Sequence, residues 1–124
     1  MASVYSSVFP SRVAGEDLSA KQYYFVKEDS NSLVTAPDAI TDRAMGVLQN
    51  APEQGETALV QVGENTKVVA SQALAIGDIV APSANGRAQV AVSTQNPRGV
   101  VVEAASAADV IAVIRLFEDA APLA

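Results

Sequence analysis

Apolar residues along this chain recur in short clusters, not at the spacing of an amphipathic helix. Tyr23-Tyr24-Phe25-Val26-Lys27 has high strand propensity, and Glu28-Asp29-Ser30-Asn31 supplies a turn after it. Residues 32–35 form a second short strand, followed by Pro37 and an irregular stretch to residue 42. Residues 45–49 form a third, stopped by Asn50 and Pro52. Over residues 56–62, Ala58, Val60 and Val62 alternate with Thr57, Leu59 and Gln61, the period of a half-buried strand. Gly63-Glu64-Asn65 reads as a hairpin turn, with a return strand at 66–70. Residues 71–76 are too few for a long helix and read as one helical turn. Gly77-Asp78 then bends the chain into a strand at 79–81. Asn85-Gly86 is a two-residue hairpin signal, because both residue types tolerate positive φ, and residues 87–92 return.

The last third contains strands at 99–104 and 110–117, joined by Ser106-Ala107-Ala108-Asp109. Alanine content would allow a helix over 104–116, but the density of β-branched side chains argues for strand. Val110-Ile111-Ala112-Val113-Ile114 is apolar on both faces, which places it in the middle of the fold or under an interface. Short strands at this spacing predict an all-β domain, a small barrel or sandwich of antiparallel strands. Its expected limits are 21–117, with a loose C-terminal tail at 118–124.

Residues 1–20 differ from the rest. They mix Ser, Val and isolated aromatics without a sustained period, and Pro10 and Gly15 break any helix. The segment reads either as a frayed terminus or as an extended arm that orders against a partner. Val4, Val8, Phe9 and Val13 are its apolar anchors. Tyr5, Phe9 and Arg12 are its largest side chains.

Composition mainly removes possibilities. The 124 residues suffice for one small domain. Alanine (23) and valine (18) dominate the apolar content, so the core is built from small side chains. There is no Cys and no His, which excludes thiol catalysis, disulfides, Cys-based zinc sites and imidazole general bases. A net charge of −6, with the basic residues scattered, disfavours nucleic acid. No apolar run approaches the roughly 20 residues of a membrane helix, and the N-terminus has no secretory pattern, so a soluble intracellular product is expected.

No glycine-rich phosphate loop occurs, and the glycines stand singly at turns or strand ends. Acidic pairs such as Glu16-Asp17, Glu28-Asp29 and Glu118-Asp119 fall in turns or the tail, where solvated acids are ordinary. Ser19 with Lys21, and Lys67 with Ser71, do not match a Ser-Lys catalytic spacing. No catalytic, cofactor or metal residue is therefore expected. The features suit an assembly component, the rival being a free-standing β-barrel binding module for a peptide or small ligand. The absence of Trp disfavours a carbohydrate reader.

Several segments, in order, resemble the phage capsid cement (head decoration) proteins. Asp17-Leu18-Ser19 followed by Tyr23-Tyr24-Phe25-Val26 is similar to their opening. Gly46-Val47-Leu48-Gln49-Asn50-Ala51-Pro52 with Gly55-Glu56 is the most telling stretch. Gly63, Lys67-Val68-Val69, Ala75 and Gly77-Asp78 continue it. Arg98-Gly99-Val100-Val101 before Glu103-Ala104-Ala105 resembles a late family strand, with Val101 where Ala is usual. The resemblance spans about residues 15–116. It implies a β-tulip fold similar to lambda-type head decoration proteins, and self-association, commonly as homotrimers. It implies location on the outer capsid surface of a virion, after synthesis in the host cytoplasm. There the protein would bridge neighbouring major capsid proteins and hold the head against packaged DNA. Residues 1–20, with Val4, Tyr5, Val8, Phe9, Arg12 and Val13, would be the capsid-binding arm, disordered until it pairs with capsid strands.

Overall fold

The computed structural model describes residues 8–93 and 95–117, with side chains from residue 12 onward. Ten strands and no helix occur among them: β1 (Val8–Ala14), β2 (Phe25–Glu28), β3 (Leu33–Thr35), β4 (Gly46–Leu48), β5 (Thr57–Gln61), β6 (Glu64–Val69), β7 (Ile79–Pro82), β8 (Ala88–Val90), β9 (Gly99–Glu103) and β10 (Ile111–Leu116). The first five close into a barrel in the order β1-β3-β2-β4-β5, and the rest form a second sheet in the order β6-β10-β9-β7-β8. The all-β barrel expected from patterning is formed. It differs in two respects: β1 runs parallel to β3, and half of the strands lie outside the barrel.

Each module has its own apolar core. Ala14, Leu18, Val26, Val34, Leu48, Ala58 and Val60 fill the barrel. Val68, Ala70, Leu74, Val80, Ala88, Val101, Ala112, Ile114 and Leu116 line the inner face of the second sheet. Strands β2 and β4 serve both. Phe25 sits opposite Val47, and both point out of the barrel into the second core, while Val26 and Leu48 point inward. Successive strand side chains alternate faces, so a strand buried on both sides must be apolar throughout. This is why Phe25-Val26 and Val47-Leu48 show no polar alternation.

Several polar contacts weld the modules. Tyr23 has φ 66°, a left-handed conformation that strains an aromatic residue. Its N–H donates to the Leu48 carbonyl at 2.7 Å, and its carbonyl accepts the Val69 N–H at 2.9 Å. One residue thus bridges β4 and β6. The Phe25 N–H donates to the Gly86 carbonyl at 2.7 Å, docking the tip of the β7–β8 hairpin on the barrel. A Cβ at Gly86 would lie 2.6 Å from the Phe25 carbonyl oxygen, and its φ is +94°, so both space and conformation require glycine there.

Three expectations are corrected. Strands β5 and β6 do not form a hairpin across Gly63-Glu64-Asn65. β5 pairs with β1 and β4, β6 pairs with β10, and Glu64 already begins β6 with φ 62°. The chain turns a corner there because Ala58 and Val60 belong to one core and Val68 to the other. Residues 71–76 make no helical turn. They run irregularly, tied by the Leu74–Ala105 bridge and by backbone bonds to β8. The β7–β8 connection is a hairpin, but its loop spans residues 83–87 with only Gly86 at positive φ. Asn85 instead uses its side-chain oxygen, accepting from Ser83 Oγ at 2.7 Å.

Candidate interaction surface

Of the six arm candidates, Val4 and Tyr5 lie outside the described residues, as does the tail at 118–124. The other four fall on β1. Val8 and Phe9 pair through the backbone with Gln61 and Val60, Arg12 with Ala58, and Val13 with Thr57 and Leu33. The register shifts between Phe9 and Arg12, a stretch containing Pro10, which has no N–H for the ladder. Arg12 pairs with Glu28 at 2.5 Å, each side chain about one-third exposed (33% and 34%). Val13 is 38% exposed. Farther along, Ala14 and Leu18 are buried in the barrel, and the Leu18 N–H donates to the Pro52 carbonyl. In this structure residues 8–18 of the segment read as an arm complete the chain's own barrel.

Patterning did not single out Arg98. It is buried (4% exposed) just before β9, and forms no ion pair with a carboxylate among the described residues. Its Nε donates to the Ala44 carbonyl at 3.2 Å. One terminal nitrogen donates to the carbonyls of Met45 at 2.8 Å and Val62 at 3.0 Å. The other has no hydrogen-bond partner among the described residues. Burial holds the guanidinium below its ordinary value, though arginine remains a cation. Arg98 therefore staples the second sheet to the barrel. A lone Arg in a sequence looks like a surface residue, so only the three converging carbonyls reveal it.

On the barrel rim, Lys27 Nζ lies 3.2 Å from Asp38 and 3.0 Å from Asp42. The hydrogen bond to Asp42 holds Lys27 above its usual value. Burial pulls Asp42 upward, but bonds from the Asp38 N–H and Lys27 outweigh it and leave this carboxyl below the usual range. The cluster is internally satisfied and fixes the 38–42 loop. Among the described residues no group of three His, Cys, Asp or Glu side chains could hold a metal, and no helix could cross a membrane.

A shallow depression of about 300 Å³ lies beside the β7–β8 hairpin, lined by Ser71, Ser83, Asn85, Arg87 and Gln89. Its polar groups are engaged. Arg87 pairs with Asp109 at 2.7 Å, Ser71 Oγ donates to Ala88, and Gln89 donates to Gln95. The more conspicuous exposed feature is aliphatic. Ile76, Ile79, Val90, Val92, Val102, Val110 and Ile111 all belong to the second half of the chain, and Ile76 is 71% exposed.

No protein-family model matches the chain, and no curated protein matches it. Among solved structures it is similar to the N base of head fiber gp8.5 of bacteriophage phi29, with a TM-score of 0.61 over 92% of this chain and 96% of that one. Identity is 16%, so the likeness is one of fold: this chain has the fold of that phage head-fiber base.

Proposed function

We propose that this chain is a non-enzymatic structural protein of a phage virion. It binds the outer surface of an expanded capsid, bridges neighbouring major capsid proteins and stabilises the head against internal DNA pressure. The observation that carries this reading is the fold shared over nearly the whole chain with a phage head-fiber base. The cement-like segments from Asp17 to Ala105 support it. In this reading the protein acts as a homotrimer, whose several modest contacts sum to tight binding. The N-terminal segment is the capsid-binding arm, with Val4 and Tyr5 beyond β1 and Val8, Phe9, Arg12 and Val13 at its root. Ordering such an arm costs chain entropy, which its capsid contacts must exceed.

The test mixes the full chain with expanded heads of its source virus that lack this component, then pellets the heads. Saturable co-sedimentation, with heads that better survive heat, is the expected result. Protein left wholly in the supernatant by competent heads removes this reading and promotes the free-standing binding module. Removing residues 1–7 leaves β1 in place, so the variant is expected to fold and to lose head binding. Undiminished binding by that variant sinks the arm.

A further inference from the structure

Sheet proteins associate through edges or through faces. The edges of this fold are partly covered. The barrel is closed. The free side of β6 is held at its Val69 end by the N–H bond to the Tyr23 carbonyl, and the Thr66 side chain accepts from Gln49. The free side of β8 is covered by Ser71, whose N–H and hydroxyl both donate to the Ala88 carbonyl, and by Gln72, which accepts the Val90 N–H. The faces are the other route.

The outer face of the second sheet is ordered in rows by strand register. Val69 lies beside Ile111, and Arg115 beside Val100, which lies beside Ile79. Between these rows, Lys67 lies beside Val113, and Val113 beside Glu103. This middle row is positive at its β6 end, apolar on β10 and negative at its β9 end. Neither Lys67 nor Glu103 forms an ion pair among the described residues, and the Lys67 ammonium rests 5.8 Å from the Tyr23 ring centroid. Charge also separates the modules. Residues 1–62 carry eight acids and four basic residues, whereas residues 63–117 carry four of each. Two barrels repel each other; two second sheets do not.

Resting on the self-association proposed above, we infer that this face is the surface on which copies of the chain meet. The same face of each copy turns toward a common axis running along β10, and Lys67 of one copy meets Glu103 of the next. Within this row, head-to-tail repetition around a closed ring pairs unlike charges, whereas exposed Arg115, two positions farther along β10, brings a like charge toward the same axis from each copy. Val69, Ile79, Val100, Ile111 and Val113 supply the apolar contact.

Sedimentation velocity of the full chain across a concentration series tests the inference. The wild type is expected to associate. Val113→Asp is expected to remain monomeric. Lys67→Glu and Glu103→Lys alter exposed positions that the fold does not need. Each is expected to weaken association by about tenfold or more. The Lys67→Glu/Glu103→Lys double variant is expected to recover it. A wild type that stays monomeric, a Val113→Asp variant that folds and still assembles, or a double variant no better than the singles overturns the inference. Head binding is read separately. Monomeric protein that saturates heads strikes this inference and the homotrimer but spares head binding. A wild type that associates while Val113→Asp assembles as well strikes this inference alone. An associating protein that ignores heads strikes the capsid reading alone.

Discussion

The barrel and the second sheet are made from the same small aliphatic side chains, yet they dispose of them differently. In the barrel, closure turns one face of each strand inward, and the outward apolar residues of β2 and β4 are covered by the second sheet. Its remaining surface is mainly acidic, with ion pairs at Arg12–Glu28 and Lys27–Asp42, and exposes Val13 and Ile40 as isolated aliphatics. The second sheet buries one face and leaves β-branched residues on the other, with Ile79 and Ile111 each about 40% exposed. The difference lies not in core composition but in where the surplus apolar area goes. Surplus apolar area on a near-neutral sheet face is the kind of surface on which proteins associate, whereas an acidic rim resists association.

The largest effect expected on this division comes from Gly46→Ala. A Cβ at Gly46 would sit 2.0 Å from the Gln61 carbonyl oxygen and 2.9 Å from Val60 Cγ1. The obstacle is backbone, so β4 and β5 must part, at a cost of about 3 kcal/mol. Because Val47 and Phe25 belong to the second core as well, both modules are expected to unfold together. Urea unfolding followed by circular dichroism and tyrosine fluorescence checks this. Two separated transitions would show that the modules are energetically independent.

Arg98→Ala attacks the joint itself. It leaves the carbonyls of Ala44, Met45 and Val62 without their donor, which is expected to lower stability by about 2–3 kcal/mol. On the exposed face the expectation reverses. Ile111→Thr keeps a β-branched residue on the strand and is expected to change stability by no more than about 0.5 kcal/mol. It should weaken association all the same. An Ile111→Thr variant as destabilised as Arg98→Ala would mean that this face is core, not interface.

Strand positions were legible in the sequence because alternation and turn residues are local signals. Ala58 and Val60 read as the buried side of a strand, and they are. Partner choice was not legible. Gly63-Glu64-Asn65 announces a change of direction, but whether β6 folds back on β5 or crosses to β10 depends on residues some 45 positions away. Pro10 and Gly15 excluded a helix and left residues 1–20 to read as a frayed terminus or a partner-ordered arm; in the fold Pro10 falls where the β1–β5 register shifts and Leu18 fills the barrel. The run at 110–114, apolar on both faces, read as mid-fold or under an interface; β10 is central in its sheet, but only Ala112 and Ile114 are buried, while Val110 and Ile111 are exposed. The row Lys67–Val113–Glu103 was invisible, because three residues on three strands become neighbours only through register.

The smallest expected effect concerns the barrel rim and its pH dependence. Asp42 is held below the ordinary aspartate value of 3.8, so its stabilisation is present above that value and lost as pH falls through the lowered one. Lys27 is held above 10.5, so its share is present below that value and lost only as pH rises through the raised one. Between these limits the Lys27–Asp42 contribution is constant, and for a partly exposed pair it amounts to about 0.5–1 kcal/mol. Asp42→Asn keeps an oxygen for the N–H groups of Asp38 and Ala39 but removes the charge that Lys27 meets. Its urea midpoint should fall slightly at neutral pH and converge on the wild-type value as pH falls through the lowered Asp42 value. A deficit that persists unchanged into acid would mean that loop geometry, not charge, is what Asp42 supplies.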